Sequence, residues 1–295
     1  MTENGVTRSR SPLPLIAALL APALIGLVVF RLYPIAIAVS DSFFNMVRGT
    51  QVFVGFDNYL SLVTDSIFWN SLQVTFWFNL LINPIQIALA LGLALLYVQK
   101  FRGITLYRIL FLIPIGVSLP VAVIIWRIML SQDGLVNGLI GAAGIPAQQW
   151  LTSQSLALYS IIAIATWKGI SYWMIFIVGG LQNISTEVYD AAKIDGAVAW
   201  QRLIYITIPL LRPTLLFVLV ADVSINFLLF APIFMLTQGG PADSTNVLMY
   251  EAYKSGFIFG DMGRAMAIIV VVVAILLVIV GLQFKLLSNR EETGK

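Results

Sequence analysis

The chain has 295 residues, of which 59% are apolar and only 11% charged, with a mean hydropathy of +0.93. A soluble domain carries about 25% charged residues; a globule with so few would expose apolar patches too large to stay dissolved, so this is an integral membrane protein, long enough for several spans of about 20 residues. The absence of Cys and His excludes disulfides, thiolate nucleophiles, imidazole metal sites and Ser-His-Asp catalysis, and no G-x-x-x-x-G-K-[ST] stretch is present to hold nucleotide phosphates.

Six charge-poor stretches read as helical spans, because a helix satisfies its own backbone hydrogen bonds in lipid. They cover 12–39 (interrupted by Arg31), 68–97 (uncharged), 106–130 (Arg108 and Arg127 near the ends), 156–179 (Lys168), 213–236 (Asp222) and 263–286. The first follows Arg8 and Arg10 but exceeds the about 7–15 apolar residues of a cleavable leader, so it is expected to be retained. Between the first two spans, 54–69 has apolar and aromatic residues at near-helical spacing after Asp57-Asn58, the pattern of an amphipathic surface helix. Trp69, Trp126 and Trp150 fall near span ends, where indole rings favour the interface.

Basic residues alternate from side to side. One side collects Arg8, Arg10, Lys100, Arg102, Arg108, Lys193, Arg202, Arg212, Lys285, Arg290 and Lys295; on the other, 131–155 has none, 40–67 only Arg48 and 237–262 only Lys254. Positive residues stay in the cytoplasm, which places both termini there. The formal charge of +3 is thereby a topology signal, and no nucleic-acid partner is expected. The expected architecture is an all-α, six-span membrane domain over 12–287, with cytoplasmic tails 1–11 and 288–295.

The segment 186–209, between the fourth and fifth spans, has its own logic. Ser185 or Thr186 can cap a helix beginning at Glu187, whose charge suits the helix dipole. Ala191 and Ala192 permit close approach of another surface, and Gly196 permits a tight turn. A second short helix from Ala197 to about Ile206 would align Trp200, Leu203 and Ile204 on one face, and Pro209 and Pro213 mark the start of the next span. Such a pair suits either a groove on another protein or the lipid headgroup layer.

Asp190-Ala-Ala-Lys-Ile-Asp-Gly196, nine further residues and Ile206-Thr-Ile-Pro209 resemble the EAA motif of binding-protein-dependent ABC importer permeases, with Asp190 for Glu and Ile208 for Leu. The Asp195-Gly196-Ala197 variant is similar to carbohydrate-class permeases of the MalF type. Leu236-Thr-Gln-Gly-Gly-Pro-Ala-Asp-Ser-Thr245, with Tyr250, Tyr253 and Phe257 after it, resembles a second motif of that class, and Gly55-Phe-Asp-Asn-Tyr59 its early loop.

The resemblance implies a type I ABC importer permease fold in a bacterial-type cytoplasmic (inner) membrane. It also implies a second homologous permease, two ATP-binding cassette subunits and an extracytoplasmic solute-binding protein. ATP and Mg would sit on the cassette subunits, leaving this chain without cofactor, metal or catalytic residue. Glu187, Asp190, Ala191, Ala192, Asp195 and Gly196 would form the coupling helix, pulled inward as ATP closes the cassettes; Asp190 would face a basic group there or stand as a solvated cap residue. Gly239, Gly240 and Pro241 would lie in the outer surface, 237–262 with 131–155, that receives the binding protein. Ala231 stands where many sugar permeases carry Asp, so maltose-like specificity does not follow, and glycerophosphodiesters or other polyol derivatives are an alternative. The reading from a different class is an ion-coupled secondary transporter acting without ATPase subunits.

An ionisable side chain inside a span costs at least about 2.5–3.5 kcal/mol and calls for a partner or a wet cavity. Lys168, near Trp167, Tyr172 and Trp173, and Asp222, near Ser224, Asn226 and Phe227, form either a buried ion pair or part of a solute cavity in which aromatic faces stack on sugar rings. Asn79, Asn83 and Pro84 suggest a polar-lined kink, or packing contacts between helices.

Overall fold

The computed structural model describes residues 13–47 and 49–288. Arg48, the tail 1–11 and all but the first residue of 288–295 lie outside the described residues. Four helices are long and apolar enough to cross a membrane: Ile16–Asp41, Ser66–Tyr97, Ala157–Gln182 and Met262–Lys285. Two further candidates are bent pairs, Ile104–Gly116 with Leu119–Met129 at 105° and Ala199–Leu210 with Arg212–Phe227 at 70°, giving six if each pair crosses once.

The first span begins as α1 (Leu13–Leu27), passes through a wide turn at Val28–Leu32 and continues as α2 (Tyr33–Asp41). A short antiparallel hairpin follows, β1 (Phe44–Val47) with β2 (Thr50–Phe53), Phe44 opposite Phe53, a small addition to the all-helical fold. The expected surface helix is shorter than 54–69. It is α3 (Asp57–Thr64), stopped where extended Asp65 turns to cap α4 (Ser66–Tyr97) through a bond from Ile67 N at 2.7 Å. At 1.5 Å per residue α4 is about 48 Å long, more than the about 30 Å of hydrocarbon, and it runs through Pro84 as one continuous helix.

The third span is not one helix. α5 (Ile104–Gly116) ends at extended Val117 and Ser118, and α6 (Leu119–Met129) leaves in a new direction. Pro120 explains the break: it has no N–H to donate and its ring would collide with the Gly116 carbonyl in a continuous helix. After the short α7 (Leu135–Ala142) comes α8 (Ala157–Gln182), the fourth span. The fifth, α12 (Arg212–Phe227), stops well short of Leu236 because Pro232 forbids its continuation by the same reasoning; a wide turn at Ile233–Thr237 follows. The last span is α14 (Met262–Ser288).

The core centres on α4 and α8. Buried Ala90 and Ala94 of α4 meet Trp173, Met174 and Ile177 of α8, and Val218 of α12 closes the cluster. Small residues set the spacing: a Cβ at Gly169 would lie 1.8 Å from Gln86 Nε2, and one at Gly180 2.6 Å from Thr214 Oγ1. α14 packs along α2, α3 and α12, whereas the apolar window of the first span, Ile16–Asp41, is 0% buried by the rest of the chain.

Candidate functional site

A cavity of about 390 Å³ opens between α4, α8, α12 and the broken third span. Lys168, Tyr172 and Trp173 of α8 and Asp222 and Asn226 of α12 line it, together with Gln86 of α4. Trp173 Nε1 donates to Asp222 Oδ1 at 2.6 Å, and Asn226 Nδ2 lies 3.0 Å from the same oxygen, 2.6 Å from Asn83 Oδ1 and 3.1 Å from Gln86 Oε1. Gln86 Nε2 donates in turn to the Ala165 carbonyl at 3.0 Å. A polar chain thus crosses three helices inside an apolar bundle, where an unpaired group is expensive. Asp222 Oδ2 is buried without a donor.

The ion pair between Lys168 and Asp222 does not form. Lys168 Nζ donates instead to the carbonyls of Pro114 at 3.1 Å and Val117 at 2.6 Å, at the break between α5 and α6. Of the other candidate cavity residues, Asn83 stands behind the wall as the acceptor for Asn226. Phe227, the residue after Asn226 and so about 100° further round α12, does not line the cavity and meets the Phe76 ring edge-on at 5.6 Å. Asn79 donates to Thr75 O and Asn83 to Asn79 Oδ1 within α4, and Asn83 Oδ1 accepts from Asn226, so this polar face of α4 meets α12. Gln86 was missed by sequence reasoning; its place three residues after Asn83, on the Asn79–Asn83 stripe of an uncharged span, was the available signal. Of the three tryptophans, Trp69 Nε1 donates to Val63 O, Trp150 Nε1 to Asn137 Oδ1, and Trp126 meets Trp167.

At the other end of α8, Ser185 Oγ accepts from Glu187 N at 3.2 Å and starts α9 (Thr186–Ile194). Gly196 ends it at φ 78, with Ala197 N bonding back to Ala192 O at 2.9 Å and Gly196 N to Lys193 O at 3.1 Å, the turn that favours glycine. Ala192 is buried, whereas Glu187, Ala191, Asp195 and Gly196 face out. Asp190 pairs with Lys193 of its own helix at 2.7 Å, both exposed. The second helix runs from Ala199 to Leu210, α10 (Ala199–Arg202) and α11 (Ile208–Leu210) being joined by a wider helical turn at Leu203–Thr207. Tyr189 OH and Thr207 Oγ1, 3.0 Å apart, tie the two arms. Trp200 is 56% exposed, Tyr205 69% and Ile194 87%.

The outer segment is built differently. Gly239 is buried at φ 80, and a Cβ there would strike the Tyr250 ring at 2.9 Å. It therefore shapes the turn from inside, with half-buried Gly240 and Pro241, joined by a cis peptide, beside it. α13 (Leu248–Tyr253) carries Glu251, 2% exposed, which accepts from Asn246 Nδ2 and Lys254 Nζ at 2.9 Å each and from Arg264 at 3.3 Å. Arg264 also pairs with Asp65, and Asn70 Nδ2 donates to Asp243 O at 3.0 Å, so the segment is clamped to the top of α4. Burial pushes the Asp65 carboxyl up, but the Ile67 N–H and the Arg264 guanidinium outweigh it and hold it below the usual carboxylate range.

The helical bundle with its two bent helix pairs and the bent element between α8 and α12 is the fold of the type I ABC importer permeases. Residues 86–292 match the family described as the binding-protein-dependent transport system inner membrane component, and the chain belongs to that family. It is 36% identical over 278 residues to the lactose transport system permease protein LacF of Rhizobium radiobacter, covering 92% of this chain and 93% of that one. It is 33% identical over 282 residues to the sn-glycerol-3-phosphate transport system permease protein UgpA of Agrobacterium fabrum, covering 94% and 95%. The fold superposes with a TM-score of 0.80, at 23% identity over 93% of this chain and 95% of the other, on a bacterial ABC transporter involved in the import of the acidic polysaccharide alginate.

Proposed function

We propose that the chain forms one half of the membrane pathway of an ATP-driven importer for a sugar or closely related polar solute, delivered by an extracytoplasmic binding protein to the outer segment. It crosses the cytoplasmic membrane six times with both termini inside. A second homologous permease completes the pathway, and two ATP-binding cassette subunits holding ATP and Mg drive it. When ATP closes the cassettes, α9 and its counterpart on the second permease move together and bias the spans towards the outward-open state, a two-state equilibrium shifted by differential binding through a rigid lever. Gly196 supplies the bend, exposed Ala191 the close approach, and Glu187, Asp190 and Asp195 the charge presented to the cassette.

The observation that carries the solute reading is the Trp173–Asp222–Asn226–Gln86 chain along one cavity wall. Aromatic faces of Trp173 and Tyr172 suit the apolar faces of a pyranose. A hydroxyl reaching Asp222 Oδ2 would supply the donor that this oxygen lacks. Lys168 in the same wall favours a second reading, a glycerol-phosphate-type polyol, in keeping with the name of the second relative.

The test is uptake by the complete transporter in proteoliposomes, using the solute that co-purifies with its binding protein. Asn226→Ala leaves Asp222 short of a buried donor, a loss of about 1–3 kcal/mol, and is expected to lower uptake by about tenfold or more while assembly persists. Unchanged rate and solute preference in both Asn226→Ala and Asp222→Asn would remove α12 from the site.

A further inference from the structure

The break in the third span exposes a backbone problem inside the membrane. Val117 and Ser118 are extended, and Pro120 has no N–H, so the last carbonyls of α5 lose the donors that a continuing helix would supply. In hydrocarbon each such group costs several kcal/mol if left unpaired. Lys168 answers from a different helix, placing its ammonium on two of these oxygens, Pro114 O and Val117 O, where the α5 dipole also favours positive charge. An ammonium has three N–H donors, and Lys168 lines the cavity between Ile115, before the break, and Leu119, after it. The adjacent Trp167 meets the Trp126 ring of α6 edge-on at 5.7 Å. Two consecutive residues of α8 therefore grip the two arms of the bend.

We infer that Lys168 is a positioning residue that latches this bend and shares its ammonium with the cavity. A solute oxygen entering the cavity competes with the Pro114 and Val117 carbonyls for the same donor, so occupancy reaches the 105° angle between α5 and α6 directly. The angle, once released, is free to follow the outward-to-inward change. This rests on the cavity reading above, but its test reads the bend rather than uptake.

The chain has no cysteine, so with partner subunits made cysteine-free, Tyr107→Cys on α5 and Ile128→Cys on α6 label both arms of the bend in the assembled transporter in lipid nanodiscs. The expected result is a narrow spin-label distance distribution without solute that shifts when solute-loaded binding protein and ATP are added. In Lys168→Met the distribution is broad from the start, basal ATPase activity rises about threefold or more, and solute moved per ATP falls by a similar factor. Lys168→Arg, which keeps donors for the carbonyls, restores both readouts. A residue needed only for folding would lower assembly, ATPase activity and uptake together. A narrow, solute-responsive distribution in Lys168→Met overturns the latch, as does equal impairment in Lys168→Arg. If Lys168→Met does not assemble, Lys168→Ala, which also removes every donor, is read the same way, and an unaltered distribution there overturns the latch. Unimpaired uptake in Asn226→Ala beside a broadened Lys168→Met distribution fells the cavity reading and leaves the hold on the bend standing.

Discussion

The segment 237–262 and the loop 186–209 both connect long helices and both leave large apolar side chains exposed, yet they dispose of their polar groups in opposite ways. The segment 237–262 turns its polar groups inward: Glu251, Asn246, Thr245 and Ser255 are buried, Lys254 and Arg264 both pair with Glu251, and Arg264 also pairs with Asp65. The loop 186–209 leaves its Asp190–Lys193 pair solvated; Ile194, Trp200 and Tyr205 are exposed there, as Phe257, Ile258 and Phe259 are in 237–262. A segment whose bonds close internally keeps its shape before a partner arrives. One whose charged pair stays in solvent has no such internal brace, so 237–262 is the stiffer of the two connections.

The sharpest way to break this contrast is to open the outer cluster. Glu251→Gln leaves Arg264 and Lys254 facing a neutral amide. The loss is expected at the lower end of the about 3–5 kcal/mol typical of a broken buried pair, because Asp65 and Asp243 still face the two cations. Thermal unfolding of the solubilised transporter measures it, and an unchanged midpoint would mean that the clamp does not stiffen the lip. Next comes Gly196→Val, which forces a β-branched residue to φ 78 where the obstacle is backbone conformation, since no atom lies within 4 Å of the added Cβ. A strain of about 1–2 kcal/mol should distort the bend and reduce co-purification of the cassette subunits, with little change in the thermal midpoint of the membrane domain. The smallest effect belongs to Lys193→Ala. Removing an exposed pair should change stability by less than about 1 kcal/mol, while freeing Asp190 for a cassette cation; titration of cassette binding at low and high salt reports the change.

Much of this was legible in the chain. The apolar runs around α4, α8 and α14 announced themselves, since hydrocarbon demands uninterrupted apolar helix. The cap at Ser185 and the turn at Gly196 follow from local rules that tertiary context seldom overrides. The third and fifth spans were read too simply. Pro120 and Pro232 sit inside runs whose hydropathy is unbroken, and hydropathy carries no information about backbone continuity. The β1–β2 hairpin was hidden among residues read only as a loop. Lys168 and Asp222 were recognised as out of place, but their partners were not: Lys168 bonds carbonyls at the α5–α6 break, and Asp222 meets α8 through Trp173 instead of Lys168.

The amino-acid order by itself determined the solvent of this protein, its number of apolar segments and the bent motif between α8 and α12, because these depend on composition and near-neighbour spacing. Only the packed structure decided that Asp222 joins Trp173 and Asn226 while Lys168 secures the broken third span. Those choices depend on which helices approach closely enough to share a hydrogen bond, and on small residues such as Gly169 that let α4 and α8 come together.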